Sequence, residues 1–598
     1  MRRNLLIFGL LAAVCLAGGP AAGAAGRGAL GAPVAGAAFT GSTLTDGPAA
    51  DAAVAGNTST GAPAADRDPW AEVQALPSRV DGICQIYPAP SGLLTPAPKG
   101  YEAFYLSHYG RHGSRFSHRD DYYSDPRRML EAADSADVLT PLGKSVLARL
   151  RMQYAVAKDH CGELTLVGEN ELKAIAERMV RNYPTVFRKG AHVDSRSTTS
   201  SRVILSMAAA NERMAACCPG LRLTRSASDT YRCLGISYPM VGRDSIYRRC
   251  YEMIHKRFNL DAFARKLFRD PAYAAKVPRL DRDAWHLYFS AANLRCAGET
   301  RFDLSDILPL EDMFIFWEAT NYLLYSSCSN SPFNSREVMK CAQVMLEDIL
   351  ARADAAVAGL AVPAPAGYPG AATLHAADLR FGHDVYLIPL AALLGLSGAY
   401  HADPYTTKDI WRYYDVSPMS GNIQLVFYAP KKALRHRARA LQRSALRQDA
   451  VQRSREIGVP GGKASVSDGS AGVPGGAADI LGGAADVSDG AADVSDGATS
   501  VSSGEAGISG GATGVSGGEA GIPGGSTGVS GGAEPYTDTA LPAAEVIVKV
   551  LLNEEESILQ TPEGHGLPSA PTPVSGPYYR WSDLRAWLQT LSAWSFDQ

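Results

Sequence analysis

A long tract of small residues divides this chain and limits how much of it can form a packed core. Residues 457–534 repeat variants of GAADVSDG and GISGGATGVSGG. A β-solenoid is one interpretation, but the repeats lack the regularly spaced large apolar side chains that a stacked core needs, so we predict a disordered insertion. Residues 26–75 are mostly Ala, Gly, Ser and Thr and are predicted to be a flexible leader. The folded part is then about 430 residues, enough for two domains.

The first 25 residues have the layout of a secretory signal peptide. A basic start precedes an apolar stretch from Leu5 to Ala17, and small residues follow. We expect residues 1–25 to be removed and the mature protein to be exported to the periplasm, the outer surface or the medium. Cys15 leaves lipid anchoring open, although Val14 precedes it where a small residue is usual. No later segment is long and apolar enough to predict a transmembrane helix.

Charge and cysteine content narrow the classes of partner. The net charge is -3, with 58 Lys+Arg and 61 Asp+Glu, so a nucleic-acid partner is not expected. Nine cysteines, from Cys84 to Cys341, follow Cys15 and show no CxxC spacing. This pattern predicts disulfides rather than a zinc site, with at least one thiol left free or paired between chains. The disulfide pairing and the oligomeric state stay open.

Strand-like and helix-like runs alternate over most of the remaining chain, which predicts an α/β core with parallel strands. The core is assigned to residues 76–204, 366–456 and 535–598. Residues 205–365 show helical periodicity and are predicted to form a mostly helical second domain. The predicted elements that place functional residues are the strands Tyr101–Ser107, His192–Asp194 and Leu379–Phe381 and the helices Asn170–Tyr183 and the run after Asp384.

The segments that flank the small-residue tract also carry signals. Ile423–Tyr428 and Val546–Leu552 are apolar strand-like runs, and we expect them to pair with the tract looped out between them. Residues 431–456 form a strongly basic, helix-prone segment. Such a segment can bind a polyanion or a membrane surface, but a solvated helix is the favoured interpretation.

The strongest chemical signal is the sequence from Arg111 to Arg115, RHGSR, directly after the first predicted strand. A neutral imidazole at His112 can attack phosphorus, and two neighbouring guanidiniums can hold the equatorial oxygens by charge-assisted hydrogen bonds. Gly113 allows close approach of the backbone. The alternative is a surface turn with solvated arginines.

Two further stretches supply compatible groups at predicted strand ends. Arg196 lies in HVDSRST and suits a third phosphate clamp, although a strand-end arginine is more often a salt-bridge partner. His383 and Asp384 lie at a strand-to-helix junction, where Asp384 alone would be an ordinary helix cap. In a parallel sheet the carboxyl ends of strands converge on one crevice, so we expect these groups to meet there.

Together these motifs resemble the histidine acid phosphatase superfamily, in its phytase and acid phosphatase branch. RHGSR resembles the RHGxR signature, VDSRSTTSSR the downstream arginine segment and GHD the terminal His-Asp pair. The similarity covers roughly residues 75–430 and 540–598, and FGHDVYLIPLAALLG, PMSGNIQLVFY and VIVKVLLNEEE are most like multiple inositol polyphosphate phosphatases. Many of those proteins have His-Ala-Glu where this chain has His383-Asp384-Val385, so positional specificity does not carry over.

The resemblance implies a phosphoglycerate-mutase-like three-layer α/β core with an inserted, mostly helical domain that selects the substrate. It also implies that His112 is the nucleophile and Asp384 the proton donor. Four groups are implied to bind the phosphoryl group: Arg111, Arg115, Arg196 and His383. No metal and no cofactor are expected, and the implied partner is a small phosphorylated molecule such as an inositol polyphosphate. Arg119 and Arg202 are loose candidates for extra phosphate contacts.

Other functions stay open. A broad-specificity acid phosphatase would use the same groups on small esters, and a mutase is less compatible with export. A non-catalytic phosphate-ester binding protein would more often have lost His112 or Asp384. A surface adhesin is suggested by the repeat tract alone.

Overall fold

The computed structural model describes residues 67–90, 92–299, 301–362, 373–397, 399–456 and 539–596. The predicted signal peptide, most of the predicted leader and the small-residue insertion lie outside these described residues. The leader was predicted to extend to residue 75, but helix α1 (Pro69–Ala75) is folded and buries Val73. Asp68 caps this helix by accepting from the Trp70 N–H at 3.0 Å, so the folded part begins earlier than its composition indicated.

A mixed sheet organises the described part of the chain. Its strand order is β3-β2-β4-β1-β5-β6-β7, and β8 also pairs with β6. β1, β2, β3 and β4 are mutually parallel, whereas β5 is antiparallel to both of its neighbours. The strands are β1 (Tyr101–Arg111), β2 (His192–Ser197), β3 (Arg222–Ala227), β4 (His375–Gly382), β5 (Asn422–Pro430), β6 (Ile547–Leu552), β7 (Glu555–Glu556) and β8 (Tyr578–Arg580).

None of the helices within the described residues is long and apolar enough to cross a membrane. Helices surround the sheet. After α1, these helices are α2 (Asp121–Ser135), α3 (Pro141–Ala157), α4 (Leu166–Asn182), α5 (Ser201–Cys217), α6 (Arg243–Arg257), α7 (Leu260–Leu267), α8 (Pro271–Ala274), α9 (Leu280–Ala292), α10 (Leu310–Cys328), α11 (Ser335–Ala358), α12 (Asp384–Leu393), α13 (Thr407–Ile410), α14 (Tyr413–Val416), α15 (Lys431–Glu456) and α16 (Trp581–Ala593).

Alternating residues of the central strands pack on opposite faces of the sheet. On β5, Leu425 and Phe427 contact the core formed with α11, α12 and α16, whereas Val426 belongs to the core formed with α4 and α5. Successive side chains of a strand point to opposite faces, so nearly continuous apolar strands are buried by helices on both sides. The predicted α/β architecture with parallel strands is confirmed.

The segment between β3 and β4 is helical, as predicted. Its helices α6, α7, α9 and α10 share an aromatic-rich core with α2 and α3, which includes Phe263, Tyr288 and Trp317. A separate second domain is not confirmed, because this segment belongs to the same compact unit as the sheet. That unit contains the described residues up to Ser444 and from 539 onward, whereas the end of α15 falls in a second unit.

Strand register brings the predicted site residues to one edge. Arg111 at the end of β1 pairs with Gly382 at the end of β4, and Ser197 at the end of β2 pairs with Phe381. The two strands that flank the insertion pair as predicted, with Ile423 opposite Leu552. The loops after β1, β2 and β4 therefore meet at the carboxyl edge of the sheet.

The predicted disulfides are absent, because all nine cysteines of the described chain are free thiols. Cys250 and Cys341 are buried in different cores, where cysteine packs as a small apolar residue. Cys84 and Cys296 lie in contact, and the Cys296 thiol donates to the Cys84 carbonyl at 2.7 Å. The pattern of cysteines along the chain carried no information about these separate locations.

Candidate active site

His112 directly follows β1 at the carboxyl edge of the sheet. Its backbone N–H donates to the carbonyl of Gly382 at 3.0 Å. Its ring Nδ1 lies 2.9 Å from the Gly113 carbonyl, which can only accept a hydrogen bond. Nδ1 therefore carries the proton, and Nε2 keeps the lone pair that a nucleophile needs.

Helix α4 fixes the loop that carries His112. The buried carboxylate of Glu171 accepts from the Ser114 backbone N–H at 2.9 Å, from the Ser114 hydroxyl at 2.8 Å and from the Ser420 hydroxyl at 2.9 Å. Gly113 lies against Gly168 of α4, and a Cβ on Gly113 would come within 2.5 Å of the Gly168 carbonyl oxygen. Glycine is therefore required at this close approach. These contacts hold the His112 ring in one orientation before any ligand binds.

Arg111 and Arg115 bracket His112 but have different surroundings. Arg111 is fully buried, and it donates to the carbonyls of Ser417 and Ile83, both at 2.9 Å. It also forms an ion pair with Asp384, with Nη2 and Oδ2 3.1 Å apart. Arg115 lines the cleft in front of His112, and its Nε has no hydrogen-bond partner within the described residues. Arg115 can thus meet an anion directly, while Arg111 supplies charge from behind.

His383 and Asp384 lie at the start of helix α12, beside His112. The Asp384 Oδ1 accepts from the Val385 backbone N–H at 2.9 Å, and Oδ2 accepts from the Tyr413 hydroxyl at 2.8 Å. The centroids of the His112 and His383 rings are 5.6 Å apart. Both predicted residues therefore reach the same cleft as His112, at the helix N-terminus where negative charge is favoured.

The third predicted arginine is elsewhere. Arg196 forms buried ion pairs with Asp194 at 2.8 Å and with Asp348 of α11 at 3.3 Å, and it does not line the cleft. The alternation of side chains along β2 places Arg196 outside the cleft. Val193 packs against α4 and α5, and Asp194 and Arg196 both lie on the opposite face of the strand. The prediction that Arg196 contacts the phosphoryl group therefore needs correction.

Arg202, in the first turn of α5, is the second arginine that lines the cleft. Its Nη2 lies 3.4 Å from Nδ1 of His383. This contact makes Nδ1 of His383 an acceptor, so Nε2 carries the proton and lies 3.3 Å from the Thr198 hydroxyl. The sequence indicates Arg202 only as a loose candidate for an extra phosphate contact. The motif VDSRSTTSSR contains both Arg196 and Arg202, so the sequence pointed to the right segment but not to the right arginine.

Burial and positive charge set the protonation states of the site. Burial, and then Arg202, Arg111 and Arg115, hold the pKa of His112 well below its usual value of 6.5. Burial and then Arg202 lower the pKa of His383 to about 3. Both imidazoles are therefore neutral at ordinary pH. Burial alone would raise the pKa of Asp384, but Arg111, the Tyr413 hydroxyl and Arg115 hold it well below its usual range, so Asp384 is a carboxylate at ordinary pH.

The cleft in front of His112 has a volume of about 320 Å³. Its floor is formed by the strand-end residues already described. Its far wall comes from the helical segment and from the start of α12, and it is largely apolar or aromatic: Tyr238, Met240, Tyr247, Phe289, Leu323, Leu324, Val385 and Tyr386. Arg115 and Arg202 are the arginines that line it within the described residues. The helical segment therefore forms part of the wall of the crevice.

Solved structures show which proteins share this architecture. A multiple inositol polyphosphate phosphatase from Bifidobacterium longum, in complex with phosphate, matches with a TM-score of 0.51 and 16% sequence identity over 86% of this chain and 98% of that one. The chain has the fold of a multiple inositol polyphosphate phosphatase. The apo form of the same protein gives a TM-score of 0.49 at 16% identity, covering 85% of this chain and 97% of that one. A phytase from D. castellii gives a TM-score of 0.45 at 15% sequence identity, covering 60% of this chain and 77% of that one. No protein-family model matches the chain, and no curated protein matches it in sequence.

Within this phosphatase fold, two supporting residues were missed by sequence reasoning. Glu171 fixes the loop after His112, and Tyr413 binds the carboxylate of Asp384. Glu171 is one of several acidic residues of an amphipathic helix, and Tyr413 lies far from the motifs along the chain. Their roles follow from packing alone.

Proposed function

We propose that this chain is an exported phosphomonoesterase that hydrolyses inositol polyphosphates such as phytate through a phosphohistidine intermediate. The observation that carries the proposal is the neutral His112, whose Nε2 is free of a proton and which shares a cleft with Arg115, Arg202, His383 and Asp384. The shared fold supports a phosphatase of the phytase and inositol polyphosphate phosphatase kind.

In the first step, Nε2 of His112 attacks phosphorus and the ester P–O bond breaks. Arg115 and Arg202 bind the phosphoryl oxygens, while Arg111 supplies positive charge from behind. The departing oxygen takes a proton from Asp384. In the second step, water attacks the phosphohistidine, Asp384 takes up the proton of that water and the P–N bond breaks to release phosphate.

Asp384 must acquire its proton when the substrate binds. The carboxylate is ionised in the empty site because Arg111 and the Tyr413 hydroxyl stabilise the charged form. A phosphate monoester has a second pKa of about 6, so its monoanion brings a proton into the cleft. The phosphoryl oxygens also offset the charge of Arg115 and Arg202, which raises the pKa of Asp384. Substrate binding thus prepares the general acid.

Replacement of Asp384 by asparagine is predicted to slow hydrolysis in proportion to the basicity of the leaving group. Asparagine keeps the shape of the side chain but cannot donate a proton to an alkoxide. We expect a loss of roughly 10² to 10⁴-fold for inositol phosphates and a much smaller loss for an activated aryl phosphate. Rates on a series of aryl and alkyl phosphates provide the measurement. Equal losses across the series would rule out the general-acid role.

A broad-specificity phosphomonoesterase is the second candidate, and the apolar wall of the cleft favours it. An inositol ring with several phosphates needs cations around the clamp, whereas Tyr238, Phe289 and Leu323 suit an aromatic or alkyl group. Arg119, an earlier candidate for extra phosphate contacts, is paired with Asp121. The chemistry at His112 is the same in both cases.

Relative rates on two substrates distinguish these functions. We expect the purified mature chain, with EDTA present, to release phosphate from phytate with a higher kcat/KM than from an aryl phosphate. Hydrolysis of the aryl phosphate alone would select the broad-specificity enzyme. Hydrolysis of neither would indicate a phosphate-ester binding protein.

A further inference from the structure

Arg437, on the basic helix α15, is a buried cation for which no described residue provides a counter-ion. Its exposed fraction is 7%, and its guanidinium lies over the Phe104 ring at 5.6 Å. Within the described residues, Nη1 has no hydrogen-bond partner. Burial and then the neighbouring Arg188 lower the pKa of Arg437 to about 10, and no carboxylate contributes. A buried charge without compensation is strongly unfavourable, so this arrangement indicates a site that an anion completes.

The surroundings of Arg437 are basic as well. Arg437 lines a cleft of about 540 Å³ together with Arg188, Lys189 and Arg435. The three companions are exposed, and Glu102 is the single carboxylate residue that lines this cleft in the described chain. Four cations against one carboxylate give a concave region of positive potential, and such a region concentrates anions.

The two histidines of this cleft are engaged at three of their four ring nitrogens. Both ring nitrogens of His192 contact threonine hydroxyls, those of Thr373 and Thr224, and Nδ1 of His375 lies 2.9 Å from Asp378. The arginines and the lysine are therefore the main donors for a ligand. Arginine suits phosphate or sulfate oxygens because its planar fork binds two of them at once.

This cleft lies at the sheet edge opposite to the catalytic cleft. Strand β4 begins at His375, which lines the basic cleft, and ends at Gly382, next to His383 of the catalytic cleft. Eight residues of β-strand span roughly 25 Å, so one small ligand cannot occupy both clefts. A ligand here would be bound in addition to the substrate.

We propose that the cleft around Arg437 is a second anion site, which binds a small molecule carrying two or more phosphate groups. Several groups are assigned to the ligand because four cations line the cleft, more than a single phosphate group would neutralise. The proposal does not depend on hydrolysis at His112.

Calorimetric titration with myo-inositol hexasulfate tests this site. The probe carries the charge of a polyphosphate but no phosphorus for His112 to attack. The wild-type chain is expected to bind one molecule more than Arg437→Gln, whether or not the catalytic cleft also binds the probe. Arg439→Gln is the matched control, since Arg439 is exposed on the same helix outside the cleft, and it should bind as many molecules as the wild type. Equal numbers of bound molecules for the wild type and Arg437→Gln would overturn the proposal.

Thermal unfolding shows whether Arg437→Gln loses binding because it no longer folds properly. Without ligand, Arg437→Gln should unfold at the wild-type temperature or above it, because the substitution removes an uncompensated buried charge. Hexasulfate should then raise the unfolding temperature of the variant less than that of the wild type. A variant that unfolds at a lower temperature, with an undiminished increase on adding hexasulfate, would show that Arg437 is purely structural.

Discussion

Replacing His112 by alanine is expected to reduce phosphate release by roughly 10⁵-fold or more, the effect of removing a covalent nucleophile. The remaining arginines still bind the substrate, so kcat should fall far more than affinity. Because Nδ1 of His112 bonds the adjacent Gly113 carbonyl and Glu171 holds the loop separately, the fold should be retained. Initial rates on phytate and on an aryl phosphate provide the measurement.

The control for this variant is His436→Ala, which removes an exposed histidine of α15. Its rates should equal those of the wild type. The near-ultraviolet circular dichroism of both variants should match that of the wild type. If His112→Ala keeps more than a small fraction of the activity, then His112 does not form the covalent intermediate.

Arg202 and Arg196 are expected to give opposite phenotypes when each is replaced by glutamine. Arg202→Gln removes a cation that lines the cleft in front of His112, where the proposed mechanism binds the phosphoryl group, and should lower kcat/KM by about 10³-fold with little change in stability. Arg196→Gln leaves the buried Asp194 without its ion-pair partner, although Asp348 keeps Arg380, and should lower the free energy of unfolding by about 3–5 kcal/mol. Its folded fraction should stay catalytically competent.

Kinetics and denaturant unfolding of the same two proteins separate these roles, because each variant serves as the control for the other. An Arg196→Gln enzyme that is fully stable but inactive would indicate that Arg196 binds the phosphoryl group after all. An Arg202→Gln enzyme with unchanged kcat/KM would show that Arg202 does not bind it.

The sequence predicted the sheet and the main motifs because both are encoded locally. The apolar runs at Ile423–Tyr428 and Val546–Leu552 indicated paired strands, and these became β5 and β6. RHGSR and GHD follow strands whose register then places His112 beside His383. A strand followed by a polar turn is visible in a short window of sequence.

The features that were predicted wrongly depend on contacts between distant segments. Arg196 and Arg202 are six positions apart, and their roles are decided by which face of β2 packs against α5. The cysteines could not be assigned, because their spacing says nothing about which cores they enter. Helix α1 was assigned to the leader because its neighbours in the sequence are small residues, although Val73 is buried.

Under the proposed mechanism His112 carries the phosphoryl group during turnover. Rapid quenching of the wild-type chain with a ³²P-labelled phosphate ester, in the presence of EDTA, would trap this intermediate. We expect an acid-labile, base-stable label, up to one phosphoryl group per chain, on the peptide that contains His112. Steady turnover without any label on His112, or a label on another residue, would contradict it.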